Sequence, residues 1–205
     1  MKNYTILFLL CMFAFAANAQ LYKEAYQNGQ IKKQGRLKDG KRIGEWQFYY
    51  PNGTLSAVEN YQDGMLHGER LHYGFDGKLI GREQWKTDYL EGKATYYHAS
   101  GQVSKEGVYK DGVYSGTWKF YHENGKMRQI GTYKWGTPNG EWQFFNEAGV
   151  LIQKGNYKNA KEDGFWQLFT DKGRLEYEGS FKAGERVGDW FRYTKSGKKK
   201  PFKYN

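Results

Sequence analysis

The side chains that could do chemistry in this 205-residue chain are four histidines, one cysteine and a row of lysines recurring at a fixed interval. The histidines are His67, His72, His98 and His122. His98 and His122 stand at the same place in successive 24-residue units, which puts them roughly 10 Å apart, two strand spacings. That is too far for one metal ion to bridge at ~2 Å bonds. The single cysteine, Cys11, lies in an apolar stretch near the N-terminus, so the remainder of the chain has no thiol nucleophile. There is no Gly-x-Ser-x-Gly elbow and no glycine loop ending in Lys-Ser or Lys-Thr. Carboxylates such as Glu45, Glu69 and Glu141 recur as turn and loop decoration rather than as a converging acid and base pair. The expectation is a non-enzymatic chain with no cofactor and no metal, because a thin repeat ribbon offers no deep pocket.

The lysine row is Lys38, Lys86, Lys110, Lys134, Lys158 and Lys182, with Gln62 filling the same place once. Ammonium groups about 10 Å apart along one side would suit a polyanion such as a phosphorylated lipid or an acidic glycan, with affinity falling as salt rises. The same row also reads as a solvated edge that keeps a sheet monomeric. A second candidate surface is the tryptophan column Trp46, Trp118, Trp142, Trp166 and Trp190, interrupted by Arg70 and Ala94. Alternation sends Trp46 and Phe48 to one face and Tyr49 to the other. One aromatic ladder is then either an exposed platform of the kind that stacks on sugars or is covered by Lys and Arg stems.

What positions these residues is a repeat. Gly44, Gly68, Gly92, Gly116, Gly140, Gly164 and Gly188 keep a 24-residue period without insertion or deletion. Gly29, Gly53, Gly77, Gly101, Gly125, Gly149, Gly173 and Gly197 keep it in a second series. Between the two falls an aromatic in every copy, and a further column runs Leu37, Tyr61, Trp85, Tyr109, Tyr133, Tyr157 and Phe181. Each copy holds two short runs rich in aromatic and β-branched residues, Glu45 to Tyr50 and Thr54 to Tyr61 in the first, joined by Pro51-Asn52-Gly53. That is a hairpin signal.

A longer loop, Lys38 to Gly44, is expected to lead into the next hairpin. Sequential hairpins make a meander, so the fold class is all-β: an elongated single-layer antiparallel sheet, extending over roughly 65 Å. Two hairpin registers fit. A three-residue turn with a glycine bulge, the slightly favoured one, places Tyr49 opposite Leu55. A two-residue turn places Trp118, Trp142 and Trp166 opposite Gly131, Gly155 and Gly179, and Arg70 opposite Glu83.

Residues 1–19 differ in kind: Lys2, then the apolar run Ile6 to Ala16, then Ala17-Asn18-Ala19. They read as a signal peptide cleaved before Gln20, which implies export to the periplasm or beyond. Leu9 and Leu10 ahead of Cys11 lack the small residue of a lipoprotein box, and no later segment approaches the ~20 apolar residues of a spanning helix. The organisation expected is a leader at 1–19, a capping half repeat at 20–36, seven repeats at 37–197 and a basic tail at 198–205. The formal charge of +10 favours anionic partners, and export argues against nucleic acid.

The columns Tyr109-Lys110-x-Gly112, Gly116-x-Trp118-x-Phe120-Tyr121 and Asn124-Gly125 resemble the MORN repeat, in its bacterial variant form, over roughly residues 26–200. The resemblance implies the same single-layer sheet and a role in scaffolding and in binding proteins or lipid head groups without catalysis. Some relatives carry an antitoxin label. The chain departs from the pattern at Asp88 and Ala160, where a loop glycine is lost, and at Arg70 and Ala94. Aromatic hairpin repeats that bind choline or sugar on bacterial walls are also similar around Glu141-Trp142-Gln143-Phe144-Phe145, but their unit is shorter. The functional expectation is therefore a monomeric exported scaffold for a protein partner or an anionic envelope surface. The alternatives are a glycan-binding module and an antitoxin-like partner of a toxin.

Overall fold

The computed structural model describes residues 19–203, so the leader expected at 1–19 falls almost wholly outside the described residues. Seventeen strands follow one another from Gln20–Ala25 to Lys199–Phe202, with no helix among the described residues. Each strand pairs antiparallel with the next in one open meander. In the sixth repeat one strand is interrupted at Asp163, and its pieces Lys161–Glu162 and Gly164–Phe169 both pair with Leu151–Lys158. The residues expected as a basic tail include the last strand, with Lys199 paired to Tyr193 and its Nζ 2.8 Å from Glu178.

Both registers read from the sequence are present in the same hairpin. The Tyr50 N–H donates to the Thr54 carbonyl at 2.8 Å and the Gly53 N–H to the Tyr50 carbonyl at 2.9 Å, with Gly53 at φ 84°. This three-residue turn sets Tyr49 opposite Leu55. One step further in, Phe48 lies opposite Ala57, so Ser56 is an extra residue in the ladder. That one-residue bulge shifts the rest of the pairing, which is why Trp118, Trp142 and Trp166 still face Gly131, Gly155 and Gly179, and Arg70 still faces Glu83.

The expected long loop from Lys38 to Gly44 is a tight turn instead. Ile31–Lys38 runs straight into Lys41–Tyr49 through Asp39 and Gly40 alone, at φ 50° and 73°. Two consecutive positive φ values define the primed turn whose twist matches the flanking strands. Its glycine can be replaced because the second position stays near φ 64° at Asp88 and Ala160, inside the small left-handed region open to other residues. Successive turns are clipped by main-chain bonds that need no particular side chain, such as Gly64 N–H to Arg42 carbonyl at 2.9 Å and Ala160 N–H to Pro138 carbonyl at 3.0 Å.

Tryptophan and glycine build the core together. Between Gln34 and Arg36 the register advances by two residues on the partner strand, and Trp46 folds over Gly35. A Cβ on Gly35 would lie 2.3 Å from the Trp46 ring, and the same holds for Gly107 under Trp118 and Gly179 under Trp190. Each indole N–H then reaches the carbonyl after its glycine, as from Trp118 to Val108 at 2.9 Å. Between the tryptophans stand the anchor aromatics, edge to face: Trp142 to Tyr157 at 5.6 Å, Tyr157 to Trp166 at 5.2 Å, Phe181 to Trp190 at 5.0 Å. Such pairs are worth ~0.5–1.5 kcal/mol beyond burial. A single layer thus makes its core along one face.

Candidate interaction surfaces

The tryptophan column is not an exposed platform. Trp46, Trp118, Trp142, Trp166 and Trp190 are buried, with Trp118 and Trp166 at 0% exposure. Cations cap this face: the Arg42 guanidinium lies 4.8 Å from the Trp46 ring, Lys105 Nζ 4.4 Å from Tyr96, and Arg186 4.6 Å from Trp190. The opposite face is mostly polar and self-paired, as in Gln34 to Gln47 at 2.8 Å, Tyr121 to Glu106 at 2.7 Å and Arg82 to Glu69 at 2.6 Å, with Val108 and Phe165 exposed among these polar groups. The sugar-stacking role considered for these five indoles is ruled out by the packing that makes them the core.

The lysine row holds its place. Lys38, Lys86, Lys110, Lys134, Lys158 and Lys182 each end a strand at a primed turn, and all are exposed. Lys182 alone among them is ion-paired, 3.5 Å from Asp163. The row runs along the turn side of the ribbon, where backbone groups are already satisfied, and not along an open strand edge. The open edges are the outer sides of Gln20–Ala25 and Lys199–Phe202. Blocking strand addition therefore does not account for the lysines between them. Interleaved on the same side are exposed Met65, Tyr89, Val113 and Trp135, with Tyr89 at 63% and Trp135 at 67%.

The sequence reading missed a polar break in the ladder. In the second and third repeats the tryptophan gives way to Arg70 and Ala94, and the glycine beneath it gives way to Glu59 and Glu83. The two losses go together because a Cβ at the glycine and an indole above it cannot share one space. Glu59 takes the Arg70 guanidinium at 2.8 Å. Glu83, 6% exposed, accepts from His72 Nε2 at 2.7 Å, Tyr96 hydroxyl at 2.7 Å and Trp85 Nε1 at 2.9 Å, with Arg70 at 3.5 Å. Burial would raise the Glu83 carboxyl, but the hydrogen bonds from His72, Tyr96 and Trp85 outweigh it and hold it at about 2. Burial, with the bonds to Tyr109 and Glu83, pushes the Tyr96 phenol well above its usual range. The signal in the sequence was the coincidence of Glu59 and Glu83 with the lost tryptophans.

Two of the histidines expected as plain surface residues, His98 and His122, have a structural task. His98 Nε2 donates to the Tyr121 carbonyl at 3.1 Å and His122 Nε2 to the Phe145 carbonyl at 2.9 Å. Tyr26 and Tyr50 make the equivalent clip with their hydroxyls. No group of three metal-ligating side chains converges among the described residues.

Four segments, residues 42–63, 90–111, 114–134 and 138–159, match the family model described as MORN repeat variant. These four segments are MORN repeats of the variant family. No curated protein sequence matches the chain. Solved structures that resemble this MORN-repeat sheet include the crystal structure of TcdB2-TccC3-TEV, at 13% identity and a TM-score of 0.24, covering 85% of this chain and 12% of that one. The crystal structure of TcdB2-TccC3 matches at 12% identity and a TM-score of 0.19, covering 86% of this chain and 14% of that one. The chain spans only those small fractions of their length.

Proposed function

We propose that this MORN-repeat chain is an exported, non-enzymatic scaffold whose lysine side docks onto an anionic envelope surface. The observation that carries the reading is the make-up of that side: six exposed lysines in register, five of them without an ion-pair partner among the described residues, interleaved with exposed Met65, Tyr89, Val113 and Trp135. Cations beside exposed apolar groups favour an anionic partner by charge and add contact area once water is excluded. The tryptophan face cannot compete for this role because its indoles are buried.

Sedimentation of the chain with polyanion-coated beads tests the charge directly. Binding should fall as salt rises and should be largely lost in Lys110→Gln/Lys134→Gln/Lys158→Gln. Undiminished binding by that triple variant overturns the docking role. Export is tested by the mass of the protein recovered outside the cytoplasm: a terminus at Gln20 supports it, and a retained Met1 overturns it.

A further inference from the structure

Trp135 breaks the pattern of the lysine side. Other repeats place Asp39, Asp63, Thr87, Asp111, Asn159 or Ala183 at this first turn position. Its φ is 53°, in the left-handed region that bulky side chains seldom occupy, so the indole is held there at a conformational cost. Of the seven tryptophans, five are buried and Trp85 is half-buried, which leaves Trp135 as the exposed one. Its ring stands beside a depression of about 210 Å³ lined by Lys110, Val113, Ser115, Tyr133 and Lys134. Lys110 Nζ lies 5.8 Å from the ring centroid.

We propose that Trp135, Lys110 and Lys134 form a subsite for one acidic sugar residue of a carboxylate-bearing glycan. The indole offers a flat apolar face for the C–H side of a sugar ring. Lys110, whose ammonium stands 5.8 Å from the ring centroid, supplies a charge-assisted hydrogen bond to its carboxylate, Lys134 on the same rim adds positive charge, and the Ser115 hydroxyl can donate to or accept from a sugar hydroxyl. The depression is smaller than the ~300–1,000 Å³ of pockets that enclose whole drug-sized ligands, which fits a single ring with the chain running on past Lys86 and Lys158. A membrane contact would surround an inserted indole with apolar side chains. Here the lining is Lys, Ser and Tyr, with Val113 its one aliphatic member. The subsite rests on the reading of the lysine side as an anion-binding edge.

The experiment titrates the full chain with tetragalacturonate, with a neutral galactose tetramer, and with vesicles of phosphatidylcholine and phosphatidylglycerol, following tryptophan fluorescence and heat. Trp135→Asn suits the turn, since Asn159 holds the same position at φ 51°. The expected result is salt-sensitive binding of tetragalacturonate and none of the neutral tetramer. Trp135→Asn should weaken it about tenfold with a thermal midpoint that does not fall, since Asn relieves the strain at this turn position, and Lys110→Gln/Lys134→Gln should weaken it at least as much. If Trp135→Asn binds like the wild type while the lysine variant does not, the subsite falls and the lysine edge stands. If neither variant loses affinity, both fall. Binding to vesicles but not to tetragalacturonate overturns the sugar assignment in favour of a bilayer.

Discussion

The indole of Trp118 occupies the space that a Cβ on Gly107 would need, 2.3 Å from that position, while its N–H bonds the Val108 carbonyl at 2.9 Å. The two residues act as one unit. A single-layer sheet has no second layer to bury its aromatics, so it lays each ring on the bare backbone of the neighbouring strand. This relation has consequences for stability that substitutions can measure.

Gly107→Ala should cost ~1–3 kcal/mol in denaturant unfolding, because the added methyl meets a ring that has no room to move. Trp118→Ala should cost ~3–5 kcal/mol. The double variant should lose markedly less than the two costs combined, since the methyl no longer meets a ring. Strict additivity in the cycle would contradict the unit.

Arg70→Trp alone should destabilise the second repeat, because Glu59 brings a Cβ to the place where every repeat that keeps its tryptophan has glycine. Glu59→Gly/Arg70→Trp restores the consensus pair and removes the Glu59–Arg70 ion pair at 2.8 Å as a whole, while Glu83 gives up its 3.5 Å contact with Arg70 and keeps its bonds from His72, Tyr96 and Trp85. The pair should therefore be within ~1 kcal/mol of wild type or more stable, as read by thermal unfolding.

Glu83 predicts an acid sensitivity. Its carboxyl is held at about 2 against an ordinary 4.5, so the unfolded chain takes up the proton more readily than the folded one. The stability that Glu83 contributes is present above pH 4.5 and is lost as pH falls toward 2. The gap between those values corresponds to ~3 kcal/mol. Unfolding measured at a series of pH values should show this slope in the wild type and a shallower one in Glu83→Gln.

The two turns that lack glycine should respond differently to its return. Ala160 sits at φ 64° and its side chain carries no hydrogen-bonding group, so Ala160→Gly should stabilise by ~0.5–1 kcal/mol. Asp88 has the same φ, but its Oδ1 accepts from the Leu66 N–H at 2.7 Å. Asp88→Gly trades strain for a lost hydrogen bond and should change little. Equal gains at both sites would remove the assigned role of the Asp88 carboxylate.

Much of this was legible along the chain. The gapless 24-residue spacing of glycines and aromatics determined the meander, the three-residue hairpin turns and the lysine register, because local turn chemistry and strand alternation suffice to set them, whereas the primed turn at Asp39-Gly40 was read as a longer loop. Even the Arg70 and Glu83 pairing was readable from cross-strand logic. What only the tertiary structure decided was which aromatic columns are spent on the core. Trp46 and its equivalents look like a platform in one dimension, and become a core only when the bulge after each primed turn folds the ring onto a glycine eleven residues earlier. The same geometry turns Glu59 and Glu83 from surface carboxylates into a buried polar break, and leaves Trp135, which the spacing did not mark, as the indole that faces solvent. Burial depends on what the neighbouring strand leaves empty, and that is a property of two strands brought together, which neither carries alone.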